Sequence, residues 1–131
     1  MGIERRVSEE LAPPPAYSHV VTARGATSVW TAGGVPLDAD GKLVGAGDHR
    51  AQAAQVLDNL LVALHEAGAG PEHVVKTTVY VVGEQEALPE VWEVVQESPI
   101  GRALPASTLL GVARLGYRGQ LVEIEAVAAL D

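Results

Sequence analysis

Residues 74–82 read Val-Val-Lys-Thr-Thr-Val-Tyr-Val-Val, an almost unbroken β-branched run. Branched Cβ atoms crowd a helical turn and fit the pleat of a sheet. A stretch this apolar, without strict polar alternation, belongs in a sheet interior with both sides occupied. Helices flank it. Asp48 is a good N-cap, and Ala53, Leu57, Leu60, Leu61 and Leu64 recur at three- and four-residue spacing to form one apolar stripe. Gln52, Gln55, Asn59 and Glu66 are expected largely away from that stripe, and Gly68 with Gly70-Pro71 ends the helix. Beyond the strand, Glu84–Glu97 reads as a second helix, with acids at its positive end, Pro89 tolerated near its start, and Leu88, Val91, Trp92 and Val95 on its buried side.

The two ends of the chain read as strand pairs. Val20–Ala23 and Ser28–Ala32 surround the turn Arg24-Gly25-Ala26, a hairpin signature. Pro105–Ala113 and Leu121–Ala129 form the C-terminal pair, after a Ser98-Pro99 stop and a loop over Gly101–Leu104. Asp38–Gly47 is a polar loop in which Lys42–Val44 pairs briefly. The order is ββ(β)αβαββ, an α/β (α+β) pattern that predicts a mixed sheet with two helices on one face. Residues 1–15 read as a charged, Pro-rich tail, and residues 16–131 as a single domain.

A core built from Val, Leu and Ala, with no Phe, gains little area per side chain. A domain of this size leaves roughly a third of its unfolded surface wet. Packing the uncovered sheet face against identical copies supplies the missing burial, so a small homo-oligomer is expected.

Nine Lys and Arg stand against seventeen Asp and Glu, and no basic run exists. Nucleic acid and anionic membrane are therefore poor partners. The lack of cysteine removes disulfides, thiolate nucleophiles and Cys-ligated metals together. There is no signal-peptide pattern and no apolar run of membrane-spanning length, so the expected compartment is the cytoplasm. His19, His49, His65 and His73 never fall at metal spacing. Gly45-Ala46-Gly47 begins a dinucleotide-type motif, but Arg50 occupies its third glycine position. Lys76 lies within a strand, where an interface or snorkelling role is commoner than a nucleophilic one.

The fragments taken in order carry a more specific signal. They are Ala16-Tyr17-Ser18, Ala32-Gly33-Gly34-Val35-Pro36, Leu57-Asp58-Asn59-Leu60, Val75–Val81, Pro105-Ala106-Ser107, Val112-Ala113-Arg114-Leu115 and Val122–Ala126. Together they resemble the Rid (reactive intermediate deaminase, YjgF-like) family over residues 16–128. The resemblance implies a chorismate-mutase-like fold and a homotrimer with a small-molecule cleft between each pair of subunits. In the family's active branch those clefts hydrolyse enamines and imines to a carbonyl compound and ammonia, without metal or organic cofactor. It also assigns roles to residues: Glu123 orients water or takes up a proton, and Tyr17 closes over the ligand and donates a hydrogen bond. Gly33, Ala32, Ser107 and Thr108 line the substrate site.

The departures from the family pattern matter as much. The branch acting on 2-imino acids has an Arg after the Pro-Ala pair, which grips the substrate carboxylate with a bidentate fork. Here that position is Ser107. Ala32 stands where Ser is usual, and Gly34 where Gln is frequent. Arg102 and Arg114 are the nearest cations by sequence. Two functions follow as expectations: a hydrolase for an imine, enamine or related metabolite other than a simple 2-imino acid, or a trimer that binds a small ligand or protein without turnover. Endoribonuclease activity, a third label among relatives, is disfavoured by the acidic balance.

Overall fold

The structure is a computed structural model and describes residues 2–131. Its elements are β1 (Gly2–Arg6), β2 (Val20–Arg24), β3 (Thr27–Trp30), α1 (His49–Glu66), β4 (Val74–Val81), α2 (Ala87–Glu97), α3 (Pro99–Arg102), β5 (Ala106–Gly111) and β6 (Val122–Leu130). A single 3₁₀ turn, Pro71–His73, leads into β4. The main sheet is mixed, with order β3-β6-β4-β5: β4 runs parallel to β5 and antiparallel to β6. The β-branched run is thus an interior strand, as its composition demands. Val74, Thr77, Val79 and Val81 point into the core beside Val122, Ile124, Ala126 and Ala128 of β6. Against this face lie Ala53, Val56, Leu57, Leu60 and Leu64 of α1, with Val91 and Val95 of α2. One irregularity shifts the register between Val74 and Lys76, so that Val74 and Thr77, three apart, share the core face.

The Asp48 carboxylate accepts a hydrogen bond from the Ala51 amide at 3.0 Å and caps α1. Gly68, at φ 76°, takes the left-handed turn that ends it. Gln52, however, is fully buried rather than solvent-facing. Its Nε2 donates to the carbonyls of Gly45 (3.1 Å) and Gly119 (3.0 Å), and its Oε1 accepts from the Leu121 amide at 2.7 Å. The amide ties the loop before α1 to the loop before β6. Asn59 acts similarly, donating to the carbonyls of Val35 and Leu37.

Both expected hairpins are corrected. β2 pairs with β1 and β3 pairs with β6, so the strands around Arg24–Ala26 enter different sheets. β5 and β6 lie on opposite edges of β4 and do not pair with each other. The first residues, expected as a tail, form a strand: Gly2–Arg6 pairs antiparallel with Val20–Arg24. Part of the 101–104 loop is instead the one-turn helix α3, capped by the Ser98 hydroxyl. The 37–43 loop closes through a Leu37–Leu43 bridge.

Candidate functional site

Alternation along β5 sends Ser107 and Thr108 to opposite faces of the sheet. Ser107 shares a row with Thr77 and Ala126 on the helix-covered face, and the Thr77 hydroxyl donates to Ser107 Oγ at 2.7 Å. Ser107 therefore bonds a buried side chain. Thr108 lies on the uncovered face and accepts a hydrogen bond from Lys76 Nζ at 2.8 Å. Of the two hydroxyls assigned to the site, only Ser107 faces the pocket containing Tyr17.

That pocket, open to solvent and about 250 Å³ in volume, is lined by Pro15, Tyr17, Trp92, Ser107 and Leu109. Tyr17 reaches it because residues 16–18 run along the free edge of β5. The Ser18 amide donates to the Pro105 carbonyl at 3.2 Å, and the Ser18 hydroxyl donates to the Leu104 carbonyl at 2.6 Å. Ala16 (φ 67°) and Leu104 (φ 56°) are the two non-glycine residues with positive φ among those described. Each immediately precedes one of the segments that meet here, so the unfavourable backbone is concentrated at the pocket edge. The Trp92 indole donates to the Pro15 carbonyl at 2.9 Å, and its ring meets Tyr17 edge to face with centroids 6.3 Å apart. The proline lead-in is held as a wall by these contacts. Trp92 and Leu109 carry no sequence signal of a site, because a tryptophan on an apolar helix stripe reads as core. The one available clue is that Leu109 lies two residues beyond Ser107, on the same face.

The second group of expected residues lies elsewhere. Glu123 is on β6, paired with Tyr80 of β4 on the uncovered face. Its Oε1 accepts from Gln120 Nε2 at 3.1 Å. The Gly33 backbone passes so close that a Cβ there would overlap the Glu123 carboxylate. Gly33 thus leaves the space that the Glu123 carboxylate occupies, rather than supplying an unusual φ. The Gly34 amide donates to the Ile124 carbonyl at 2.7 Å and locks this segment to β6, leaving Ala32 exposed beside it. Glu125, on the same face, is engaged by the Tyr80 phenol at 3.0 Å. That hydrogen bond, more than desolvation or the charges of Glu125 and Glu123, raises the Tyr80 pKa above the ordinary phenol value. Glu123 has no phenol donor; its Oε1 is held by Gln120 instead.

Tyr17 and Glu123 do not meet within one chain. Tyr17 lies outside β5 against the helix-covered face, while Glu123 is two strands away on the other face. Adjacent strands are about 4.8 Å apart, so no single pocket of one chain holds both. The described residues thus form two separate groups: Tyr17, Trp92, Ser107 and Leu109 in one, and Gly33 and Glu123 in the other. Neither Arg102 nor Arg114 lines the Tyr17 pocket. Among the described residues no group of three or more His, Cys, Asp or Glu side chains is placed to hold a metal, and no helix is long and apolar enough to cross a membrane.

Residues 7–130 match the family described as Endoribonuclease L-PSP. A RutC family protein of Synechocystis is 38% identical over 120 residues, covering 91% of this chain and 89% of the relative. One from Pyrococcus abyssi is 32% identical over 119 residues, covering 91% of each. Among solved structures, a conserved Rid family protein of Yersinia pestis, YyfB, superposes with a TM-score of 0.88 at 34% identity, covering 99% of this chain and 100% of that one. The Escherichia coli protein TdcF with bound serine gives a TM-score of 0.71 at 25% identity, covering 98% of both chains. The mixed sheet with its two main helices is the α+β, chorismate-mutase-like fold of these neighbours.

Proposed function

The chain belongs to the Rid (YjgF-like) family, and from that premise we propose that it hydrolyses an imine, enamine or related small metabolite in clefts between the subunits of a homotrimer. The observation that carries this reading is the division of the site across the sheet. Tyr17, Trp92, Ser107 and Leu109 open on one side, and Gly33 and Glu123 on the other. Two copies packed so that the uncovered face of one meets the pocket edge of the next complete a cleft that one copy lacks. The reaction needs no metal or organic cofactor, and the expected compartment is the cytoplasm.

The chemistry follows from the residues present. An enamine first tautomerises to its imine. Water held by the Glu123 carboxylate then adds through oxygen to the C=N carbon, its proton passes to the carboxylate, and the carboxylic acid so formed returns that proton to the nitrogen. Collapse of the resulting carbinolamine breaks the C–N bond and releases ammonia and a carbonyl compound. Tyr17 covers the ligand and donates its phenol hydrogen bond, while Ser107 and the Gly33 backbone shape the cleft. Thr108 and Ala32 contribute only from the side of the sheet shared with Glu123. The TdcF neighbour, solved with bound serine, supports a small-molecule occupant. The Tyr17 side of the cleft contains no charged side chain and so offers no partner for the carboxylate of a typical 2-imino acid. The same lack of charge favours one alternative, a trimer of this fold that binds its ligand without turnover.

Ammonia release from freshly generated 2-imino acids tests both readings. Wild type is expected to be slow. Ser107→Arg is expected to raise kcat/KM for these acids at least about tenfold, since a charge-assisted bidentate contact is restored. Against its own substrate class, Glu123→Gln is expected to lose about 100-fold or more in kcat. A fast wild type overturns the reading of Ser107, and full activity of Glu123→Gln overturns the role of the carboxylate. Saturable ligand binding without ammonia establishes the binding module instead.

A further inference from the structure

The segment between β5 and β6 encloses a second pocket, about 450 Å³ and open to solvent, lined by Val82, Leu121 and residues 114–120. Two arginines, Arg114 and Arg118, line it, together with Tyr117, Gly116 and Gly119. No carboxylate is among its lining residues. That is unusual in a chain of net charge −8 with only nine Lys and Arg. Both arginines are exposed, and among the described residues neither has an ion-pair or hydrogen-bond partner. An exposed arginine pair with no acid in the pocket lining gains most from an oxyanion, which each guanidinium can bind with two parallel N–H donors.

The pocket is also wired to the carboxylate of the proposed reaction. Gln120, only 3% exposed, lines it. Its Oε1 accepts from the Tyr117 amide at 3.1 Å, and its Nε2 donates to Glu123 Oε1 at 3.1 Å and to the Val122 carbonyl at 3.1 Å. One buried amide therefore separates the cationic loop from Glu123.

We propose that Arg114 and Arg118 hold an oxyanionic group of the ligand, a carboxylate or a phosphate, at this loop. This rests on the reading of Glu123 as the water-holding carboxylate, and it defines the substrate class more narrowly. The reacting C=N carbon lies by Glu123, which is not among the residues lining this pocket, so a spacer separates the acid group from it. In a 2-imino acid the carboxylate is bonded directly to that carbon, and the two groups cannot occupy both places. The grip absent at Ser107 is supplied at the loop before β6, for a longer molecule.

Amide chemical shifts of the full-length protein, titrated separately with glutarate and with inorganic phosphate, test this without requiring catalysis. At least one probe is expected to give saturable shifts centred on residues 114–121, and the tighter of the two identifies the acid as carboxylate or phosphate. Arg114→Ala with Arg118→Ala is expected to weaken binding at least tenfold, and raising the salt from 50 to 500 mM is expected to weaken it in wild type. Shifts that centre on Tyr17 and Trp92, shifts the double variant leaves unchanged, or no saturation by either probe overturn the proposal. Should the variant lose its dispersed spectrum, Arg114→Gln with Arg118→Gln serves in its place. Loop binding with no ammonia from any imine leaves this site standing and removes the hydrolase, whereas hydrolysis without loop binding does the reverse.

Discussion

At the scale of single residues, three polar side chains decide more than the apolar stripe that carries most of the area. Gln52 satisfies two carbonyls and one amide from loops far apart in sequence. Gln55, one turn later, only donates to Asn59. The sequence treats the two glutamines alike, because periodicity marks where apolar side chains point and says nothing about which amide will find buried backbone. The difference is testable. Gln52→Leu strands those three backbone groups and is expected to cost about 3 kcal/mol, whereas Gln55→Leu costs under about 1 kcal/mol. Urea unfolding of both variants measures the contrast, and equal effects would show that the Gln52 bonds are replaced by water. Ser107 and Glu123 illustrate the same limit at the site. Their identities and strand faces are readable from alternation, but their separation is visible only once β4 stands between β5 and β6.

At the scale of elements, α1 and β4 were legible because each signal is local: a cap with a stripe for one, a branched run for the other. Pairing partners were not, because they depend on which sheet edges remain open. The 112–121 loop passes from β5 to β6 across β4, and β3 leaves its sequence neighbour to cover the far edge of β6. The N-terminal segment shows the consequence for function. No residue of β1 or β2 belongs to the apolar core. The Arg6 carbonyl nevertheless accepts from the His19 amide, and His19 Nδ1 accepts from the Ser8 amide, so β1 fixes the stretch that carries Tyr17. Deleting residues 2–7 is therefore expected to speed hydrogen exchange at the Ser18 amide at least tenfold while β4 and β6 amides keep their protection. Loss of protection throughout β4 would instead make β1 part of the cooperative core.

At the scale of the whole molecule, the uncovered sheet face organises everything left over. Trp30, 74% exposed, stands beside Val127 and then Lys76 across the sheet. Leu110 and Tyr80 continue in the row of Glu123. A tryptophan this exposed on a flat sheet is costly in a monomer, since burying an aromatic of that size contributes about 2–3 kcal/mol. The carboxylate half-site shares this face with it, so the surface that needs a cover and the half-site that needs completing are one and the same. Trp30→Glu places a charge where the packing of copies requires an apolar ring. Sedimentation equilibrium is expected to give three chain masses for wild type and one for the variant, with the far-UV spectrum unchanged. In the variant, ammonia release is expected to fall together with the trimer, although Trp30 does not line the Tyr17 pocket and pairs with Val127, four residues along β6 from Glu123. A monomeric variant that keeps full activity would show that one chain alone closes the site, and a wild-type monomer would remove the shared cleft altogether.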